Sequence, residues 1–217
     1  WNAAVDARNS SGPIEIENVK AGGVSVLCPS CPIRLAHIKG PVRCMGGSGS
    51  ILLSDVEGKN IYVETTSGAV KASRIQGEQL YVTKTGALQG RELDGSIEFQ
   101  AQDASIDIVE SKGFLSGKTV SGNIAAQMRE WRFLDKAVIE STKGSIRLEL
   151  PSDFTGDVDL HAPVGKVDMG FGVESLEERP VLGTAKPPGR VTGRVREGSE
   201  LLKIFSGKGN IQVVKGG

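Results

Sequence analysis

Three cysteines and one histidine near the start of the chain have the spacing of a metal site. Cys28 and Cys31 form a Cys-x-x-Cys pair, and His37 and Cys44 follow them closely. Thiolate and imidazole groups at such spacings are typical zinc ligands, and a Cys-x-x-Cys pair is also typical of a redox couple. However, Cys44 follows Val42 at an inward strand position, where a free cysteine packs as a small hydrophobe. We therefore expect buried or paired thiols, with no metal and no other cofactor.

Two tyrosines recur at equivalent positions of a repeat. Segments 56–63 and 75–82 match residue by residue, which places Tyr62 and Tyr81 in register. Alternation predicts that both rings point outward on adjacent turns, beside a ladder of Thr66 and Thr85. Such an aromatic ladder could bind a sugar ring or a partner strand, or could serve only to stabilise the fold. The residues expected to lie inside are Ile61, Val63, Leu80 and Val82.

Two breaks in the repeat are further candidates for a binding surface. In segment 127–136 the next aliphatic strand position comes later than the regular repeat predicts, and Trp131 and Phe133 form either an exposed platform or part of the core. Segment 170–189 is rich in Gly and Pro and carries acidic residues. We expect it to leave the stack, either as a partner-binding loop or as a simple excursion. Its acidic residues are Glu174, Glu177 and Glu178.

Carbohydrate chemistry is the catalytic alternative. Alternation over 157–168 predicts a row of outward charged groups, in which two carboxylates with a suitable gap could act as acid and base. Alternating charges are equally typical of any solvated strand. The chain lacks the nucleotide-binding, nucleophile-elbow and His-Glu-x-x-His zinc motifs, so we do not expect an enzyme. The outward residues are Asp157, Asp159, His161, Lys166 and Asp168.

Composition excludes several classes of protein. The 217 residues carry 26 basic and 26 acidic side chains, so the net charge is zero. A nucleic-acid partner is disfavoured because phosphate neutralisation requires a basic surplus. No apolar stretch is long enough for a membrane span. Because the chain begins at Trp1, we expect it to be processed or trimmed, with any targeting signal missing.

The elements that position these residues are short strands bounded by glycine. A five-residue unit of a turn residue, any residue, an aliphatic, a polar residue and another aliphatic recurs along the chain. Period-two alternation indicates strands with one buried face. An aliphatic-x-Gly corner recurs at every second unit, with its glycine at positions 40, 58, 77 and 95, so that two units make one turn. Clear examples of the unit are 12–16, 49–53, 68–72, 95–99, 144–148 and 209–213.

Turns of 18–19 residues are too short to bury their apolar faces alone and must stack on one another. We therefore predict an all-β, single-domain β-solenoid (β-helix) of about twelve turns of 18–19 residues, each with two Gly-bounded short strand units. A Greek-key sandwich would not require this longer period. Its expected parts are an N-terminal cap with first rungs at 1–40, a loop at 170–189 and C-terminal rungs at 190–217.

The tail of the sequence resembles a known family. Segment 143–154, Lys-Gly-Ser-Ile-Arg-Leu-Glu-Leu-Pro-Ser-Asp-Phe, is followed by Gly-Asp-Val-Asp-Leu at 156–160 and by a last rung at 206–213. This order is similar to a bacterial adhesin repeat family of Gly-[Asp/Ser]-Ile units, with eukaryotic organellar relatives, and the resemblance covers about residues 40–217. It implies a solenoid and surface attachment, with no known reaction. The Pro-rich, Cys-containing first rungs depart from the family pattern.

We therefore expect a non-enzymatic, adhesin-like binding or scaffolding module whose partner is a glycan, an envelope component or a protein. The resemblance implies an extracellular or envelope location in a bacterium and an organellar one in a eukaryote. The alternatives are a polysaccharide-active β-helix enzyme and a rod that assembles end to end.

Overall fold

The computed structural model describes residues 3–132, 136–174, 189–198 and 200–217. Every regular element in these ranges is a β-strand, and the strands join into one sheet that coils as a parallel β-solenoid. The predicted all-β, single-domain fold is therefore confirmed. Within the described part of the chain, no helix is long and apolar enough to cross a membrane.

The first five strands are short and form the beginning of the stack. Each pairs in parallel with a strand of the following turn, so that Val5 lies beside Val24 and Ile14 lies beside Ile33. The strands are β1 (Val5–Arg8), β2 (Ile14–Val19), β3 (Val24–Cys28), β4 (Ile33–Lys39) and β5 (Val42–Gly46).

The next four strands are long because each one bends around a corner and continues into the following turn. In the first of them, residues 51–54 pair with β4, whereas residues 61–64 pair with β5. Three shorter strands then complete this part of the stack. The strands are β6 (Ile51–Thr65), β7 (Val70–Thr83), β8 (Leu88–Ala101), β9 (Ile106–Thr119), β10 (Ile124–Trp131), β11 (Ala137–Ser141) and β12 (Ile146–Leu150).

Residues 5–150 make eight turns in sequence order, and each turn contributes one rung to each of two parallel ladders. The predicted count of about twelve turns is too high, because it divides the whole length by the repeat although the C-terminal part does not continue in order. The break predicted at 127–136 is real, since β10 shifts register twice against β9.

The C-terminal strands do not stack in the order in which they occur in the sequence. It consists of β13 (Gly156–His161), β14 (Val167–Met169), β15 (Arg190–Val195), β16 (Leu201–Ser206) and β17 (Ile211–Lys215). The last two strands pair with β11 and β12 on one side and with β13 and β14 on the other. The C-terminal turn is therefore inserted between the eighth turn and the strands that precede it in the chain.

The far end of this stack is closed by β15, which runs antiparallel to β13. Val191, which falls in the C-terminal rungs predicted at 190–217, lies in this capping strand and is partly buried. In the following strand Leu202 is fully buried and Leu201 is half-exposed. The two ends of the solenoid therefore differ, because β15 runs antiparallel at this end whereas β1 and β2 pair in parallel at the other.

The core is a continuous stack of aliphatic side chains, as the alternation predicts. Rows of Ile, Leu and Val from successive turns are almost fully buried, and burial of this kind is the main stabilising term of the fold. The aliphatic residues of the predicted aliphatic-x-Gly corners, Ile38, Val56, Ile75 and Leu93, are all inside. Cys44 is inside as well, also as expected.

Candidate binding surface

A column of non-glycine residues with left-handed backbone follows one corner of the solenoid. Their φ angles lie between 53° and 62°, and each residue directly precedes a buried residue of the next short segment. L-residues disfavour this conformation by roughly 1–2 kcal/mol each, so their recurrence at equivalent positions defines a sharp and regular bend along the stack. The column, which we call the left-handed ladder, consists of Asn18, His37, Asp55, Arg74, Glu92 and Glu110.

Sequence reasoning missed this ladder, although a signal was present. Each member from His37 to Glu92 is the residue before a predicted aliphatic-x-Gly corner, so the period of the corners runs through the ladder as well. Glycine would be the expected residue at a positive φ angle. These positions carry Asn, His, Asp, Arg and Glu instead, so no single residue type marks the ladder in the sequence.

Ion pairs run along the left-handed ladder. Asp55 accepts two hydrogen bonds from Arg74, at 2.6 and 2.8 Å, and lies 3.7 Å from His37 Nδ1. The hydrogen bond from Arg74 lowers the pKa of Asp55, and the same contact raises the pKa of Arg74. Glu110 likewise has a lowered pKa, caused by hydrogen bonds from Arg129 and then Arg91. These exposed pairs orient charged groups but add little stability.

A groove follows this ladder over the first four turns. It has a volume of about 430 Å³, with backbone of Val19, Ile38 and Val56 in its floor. The left-handed residues from Asn18 to Arg74 line it, together with Lys39 and Glu57, whose charged groups lie 3.0 Å apart. We call it the corner groove. Its lining of charged groups suits an extended ligand that carries polar groups.

A second groove of about 430 Å³ lies on the same turns and contains one of the predicted tyrosines. The guanidinium carbon of Arg43 lies 5.2 Å from the centre of the Tyr62 ring, a cation–π contact. The Tyr62 hydroxyl donates a 2.7 Å hydrogen bond to Glu64, which raises the pKa of Tyr62. We call this the tyrosine groove. Its half-buried ring beside a cation can contact a sugar ring or a peptide.

The second tyrosine is elsewhere, so the predicted aromatic ladder is wrong. Tyr81 is only 1% exposed and pairs in register with Val63, while Tyr62 pairs with Leu80. The cause is a register shift between 58 and 61, where Asn60 has a φ of 61°. One additional residue in β6 reverses the facing of the strand that follows in β7.

The same shift reverses the predicted facing of the neighbouring residues. Ile61 and Val63 are buried as expected, but Leu80 and Val82 are half-exposed. Inside, the Tyr81 hydroxyl donates a 2.9 Å hydrogen bond to the buried Gln79, and burial raises the pKa of Tyr81. Tyr81 is therefore a core residue. The threonine pairing is confirmed, since the Thr85 hydroxyl donates to the Thr66 carbonyl.

The cysteines form a structural corner. Cys28 and Cys31 are joined by a disulfide and are fully buried. Cys44 is a free thiol whose pKa burial raises to about 12. No group of three His, Cys, Asp or Glu residues in the described ranges could hold a metal ion. His37, the fourth candidate ligand, is exposed and faces Asp55.

The disulfide occupies the place of a recurring hydrogen-bonded corner. In later turns a Thr or Ser hydroxyl accepts a hydrogen bond from the N–H of the glycine that closes the corner and donates to a carbonyl of the turn before. This Thr/Ser-x-x-Gly signal is visible in the sequence, and Cys28–Cys31 has the same spacing. The corners in which the hydroxyl makes both of these hydrogen bonds are Thr65–Gly68, Ser141–Gly144 and Ser206–Gly209.

The aromatic residues of the second predicted surface are divided between the interior and the undescribed part of the chain. Trp131 is partly buried and packs edge-on against Phe154 at 6.1 Å, and Phe154 packs against Phe171 at 5.9 Å. These contacts match the core interpretation of Trp131. Phe133 lies outside the described residues.

The predicted acidic loop is described only at its start. Glu174 forms an antiparallel bridge to Arg194, and the preceding Phe171 and Val173 pack against the core. Glu177 and Glu178 lie outside the described residues. The described part of segment 170–189 therefore belongs to the closed end of the solenoid.

The candidate catalytic carboxylates are held in ion pairs. Asp157 accepts a 2.7 Å hydrogen bond from Arg194, whose pKa this contact raises, and Asp159 lies 3.3 Å from Arg190. His161 packs edge-on against Phe205 at 5.6 Å. These arginines belong to the antiparallel cap, so the outward charges join β15 to β13. Lys166 and Asp168 are exposed on the same end.

The stacked turns, the glycine corners and the surface grooves define a parallel β-solenoid domain. The family model described as Toastrack DUF4097 matches residues 3–214, and the chain belongs to this family. No curated protein matches the chain. No solved structure matches it either.

Proposed function

We propose that this Toastrack domain is a non-enzymatic binding or scaffolding module that holds an extended partner along its first four turns. The observation that carries this proposal is the convergence of two grooves of about 430 Å³ each, the corner groove and the tyrosine groove, on the same turns. The partner is a glycan, an envelope component or a protein, as in an adhesin-like role.

The state of the reactive groups also favours binding over catalysis. Cys44 and Tyr81 are buried and have raised pKa values, so neither is a ready nucleophile or acid at neutral pH. Asp157 and Asp159 are engaged by arginines. A polysaccharide-active enzyme would need free carboxylates facing a substrate across a suitable gap.

Growth by end-to-end stacking is the weaker alternative. At the end that carries β13 and β14, the antiparallel strand β15 covers β13, so a second copy could not continue the parallel stack on that strand. The end that carries β1 and β2 is the one from which self-association would have to start.

A glycan panel tests the proposed function. The chain is passed over immobilised neutral and acidic polysaccharides, and reducing ends are counted in the same wells. We expect saturable retention on at least one polymer, without a rise in reducing ends over heat-denatured protein. The double variant R43Q/Y62S in the tyrosine groove should bind neutral polymers less, whereas the control Q100A/K118A, on the same face several turns away, should bind as the parent does.

Released reducing ends would contradict the proposed function in favour of the enzyme. So would the absence of retention on every polymer together with the formation of filaments that lengthen with protein concentration, which would favour the self-assembling rod.

A further inference from the structure

We propose that a trough on the edge beside the corner groove binds an acidic polysaccharide, a polymer with carboxylates on its sugar rings. This inference rests on the proposed binding role. The trough has a volume of about 510 Å³ and runs along the solenoid axis. Its floor is formed by glycines and its rim carries lysines: Gly40, Gly58 and Gly77, with Lys20, Lys39 and Lys59.

The glycine floor is fixed by the way the turns stack. A Cβ atom on Gly58 would lie 2.1 Å from the Gly40 carbonyl oxygen, and one on Gly77 would lie 1.8 Å from that of Gly58. Gly40 and Gly77 also have φ angles of 126° and 127°, which L side chains rarely adopt. No side chain can therefore fill this part of the edge, and the trough persists as a flat strip of backbone.

The rim has a positive surplus, although the chain as a whole is neutral. Three ammonium groups stand beside one carboxylate, Glu57, which pairs with Lys39 at 3.0 Å. Lys20 and Lys59 are exposed and form no ion pair with any residue that the structure describes. These two ammonium groups are therefore available to an anionic ligand.

An acidic polysaccharide fits this combination of shape and charge. Lys20 and Lys39 stand on successive turns, about 4.8 Å apart along the axis, which is close to the length of one sugar unit. Glu57 follows Lys39 in register, and Lys59 stands on the other side of Gly58 from Glu57. The flat face of a pyranose ring can lie on glycine backbone without steric conflict, and its carboxylate can accept hydrogen bonds from an ammonium group. The side-chain amide of Gln76 is also in the lining and can bind a hydroxyl group.

Other anionic partners fit less well. A single-stranded nucleic acid would need aromatic side chains for base stacking, and none of the described residues that line this trough is aromatic. An anionic membrane would favour apolar side chains beside the lysines, and the floor here is glycine. Both partners are outcomes of the test below.

Binding to polygalacturonate, with uncharged dextran as the reference polymer, tests the inference. The variant K20Q/K39Q/K59Q is compared with K71Q/K84Q/K143Q, which removes the same charge from exposed lysines outside the trough. Because each exposed charge contact contributes modestly, we expect the trough variant to bind about tenfold more weakly and the control variant to bind like the parent. Parent binding should also weaken as salt is raised.

Equal weakening in both variants would overturn the inference, since it would show a nonspecific charge effect. Equal binding of dextran and polygalacturonate would also overturn it, as would stronger binding to a single-stranded RNA or to vesicles of phosphatidylserine. A chain that binds only neutral glycans through the tyrosine groove would leave the proposed function standing and this inference wrong. Retention on no polymer at all would contradict both.

Discussion

The first eight turns and the C-terminal segment are built from the same corner chemistry, but the chain passes through them in different orders. In residues 5–150 each turn lies on the turn before it in the sequence. In residues 156–217 the last turn, β16 and β17, lies between the eighth turn and the earlier strands β13 and β14. In the first arrangement each turn can stack on the turn that precedes it in the chain. In the second, β13 and β14 can stack only after β16 and β17, which follow them in the chain, are in place.

The corner bonds show that the two regions are equivalent at the level of single residues. Ser206 donates to the Gly144 carbonyl at 2.9 Å and accepts from the N–H of Gly209 at 3.0 Å, as Thr65 and Ser141 do in the sequential turns. The inserted turn therefore has the same corner hydrogen bonds as the sequential turns and differs from them only in its position in the stacking order. The hydrogen bonds of the corners therefore determine how neighbouring turns stack, but not the order in which the chain passes through the turns.

Deleting residues 200–217 should have the largest effect. It removes Leu202, Ile204, Ile211 and Val213, all fully buried or nearly so, and leaves β13–β15 with no rung to stack on. Since each buried aliphatic is worth about 1.5–3 kcal/mol, we expect at least about 5 kcal/mol of lost stability and unfolding of β13, β14 and β15. Limited proteolysis with mass spectrometry measures this directly.

The matched control deletes the first turn, residues 3–22, from the other end of the stack. Only its contacts with the second turn are lost, so the remaining turns should stay protected from protease. If both deletions leave equally large protected cores, the two ends do not differ as described.

The sequence predicts much of the sequential region and little of the C-terminal order. Alternation and the regularly spaced glycine corners give the strands, the buried rows and the inward Cys44. They cannot give the position of the inserted turn, because a Gly-x-Ile unit such as 209–211 fits next to any other rung. The candidate site was predicted only at Tyr62, since the left-handed ladder has no common residue type.

The facing of Tyr81 was missed for a different reason. Its segment matches that of Tyr62 residue by residue, and the shift arises from the left-handed Asn60, which adds a residue to one strand. A bulge of this kind changes the register without changing the pattern of residue types.

Replacing the two tyrosines should separate core from surface within the sequential turns. We expect Tyr81→Ala to cost about 3–5 kcal/mol, because it empties a buried site and leaves Gln79 without its hydroxyl partner. Tyr62→Ala, at a half-exposed position, should cost less than about 1 kcal/mol. Urea unfolding of each variant measures the difference, and equal costs would contradict the register.

Removing the disulfide should reduce stability moderately, and by more than removing the hydrogen bonds of an equivalent corner. For the short loop closed by Cys28 and Cys31, chain entropy predicts that the variant C28S/C31S loses about 2 kcal/mol of unfolding free energy. Thr65→Ala, which removes only hydrogen bonds at the equivalent corner, should lose about 1 kcal/mol. Thermal unfolding compares them, and a larger loss for Thr65→Ala would show that the corners are not equivalent.

The smallest effect should come from the ion pair between Asp55 and Arg74. Because the contact lowers the pKa of Asp55 in the folded state, its stabilising effect is present above the unfolded pKa and is lost as the pH falls through the folded pKa. We expect Arg74→Gln to be slightly less stable than the parent at pH 7 and equal to it in strong acid. Unfolding curves over an acid pH series measure this, and a gap that widens in acid would be inconsistent with the pairing.

The position of the C-terminal turn is tested most directly by cysteine cross-linking. Gln212 lies in register beside Arg147, whereas Asp168 lies beyond Gln212, about two strand spacings or roughly 10 Å from Arg147. In a Cys44→Ala background, the pair R147C/Q212C should form an intramolecular disulfide under mild oxidation, and R147C/D168C should not, since Cα atoms more than about 7 Å apart cannot be bridged. Cross-linking of R147C/D168C without cross-linking of R147C/Q212C would show that the turns stack in sequence order, and would contradict the inserted turn.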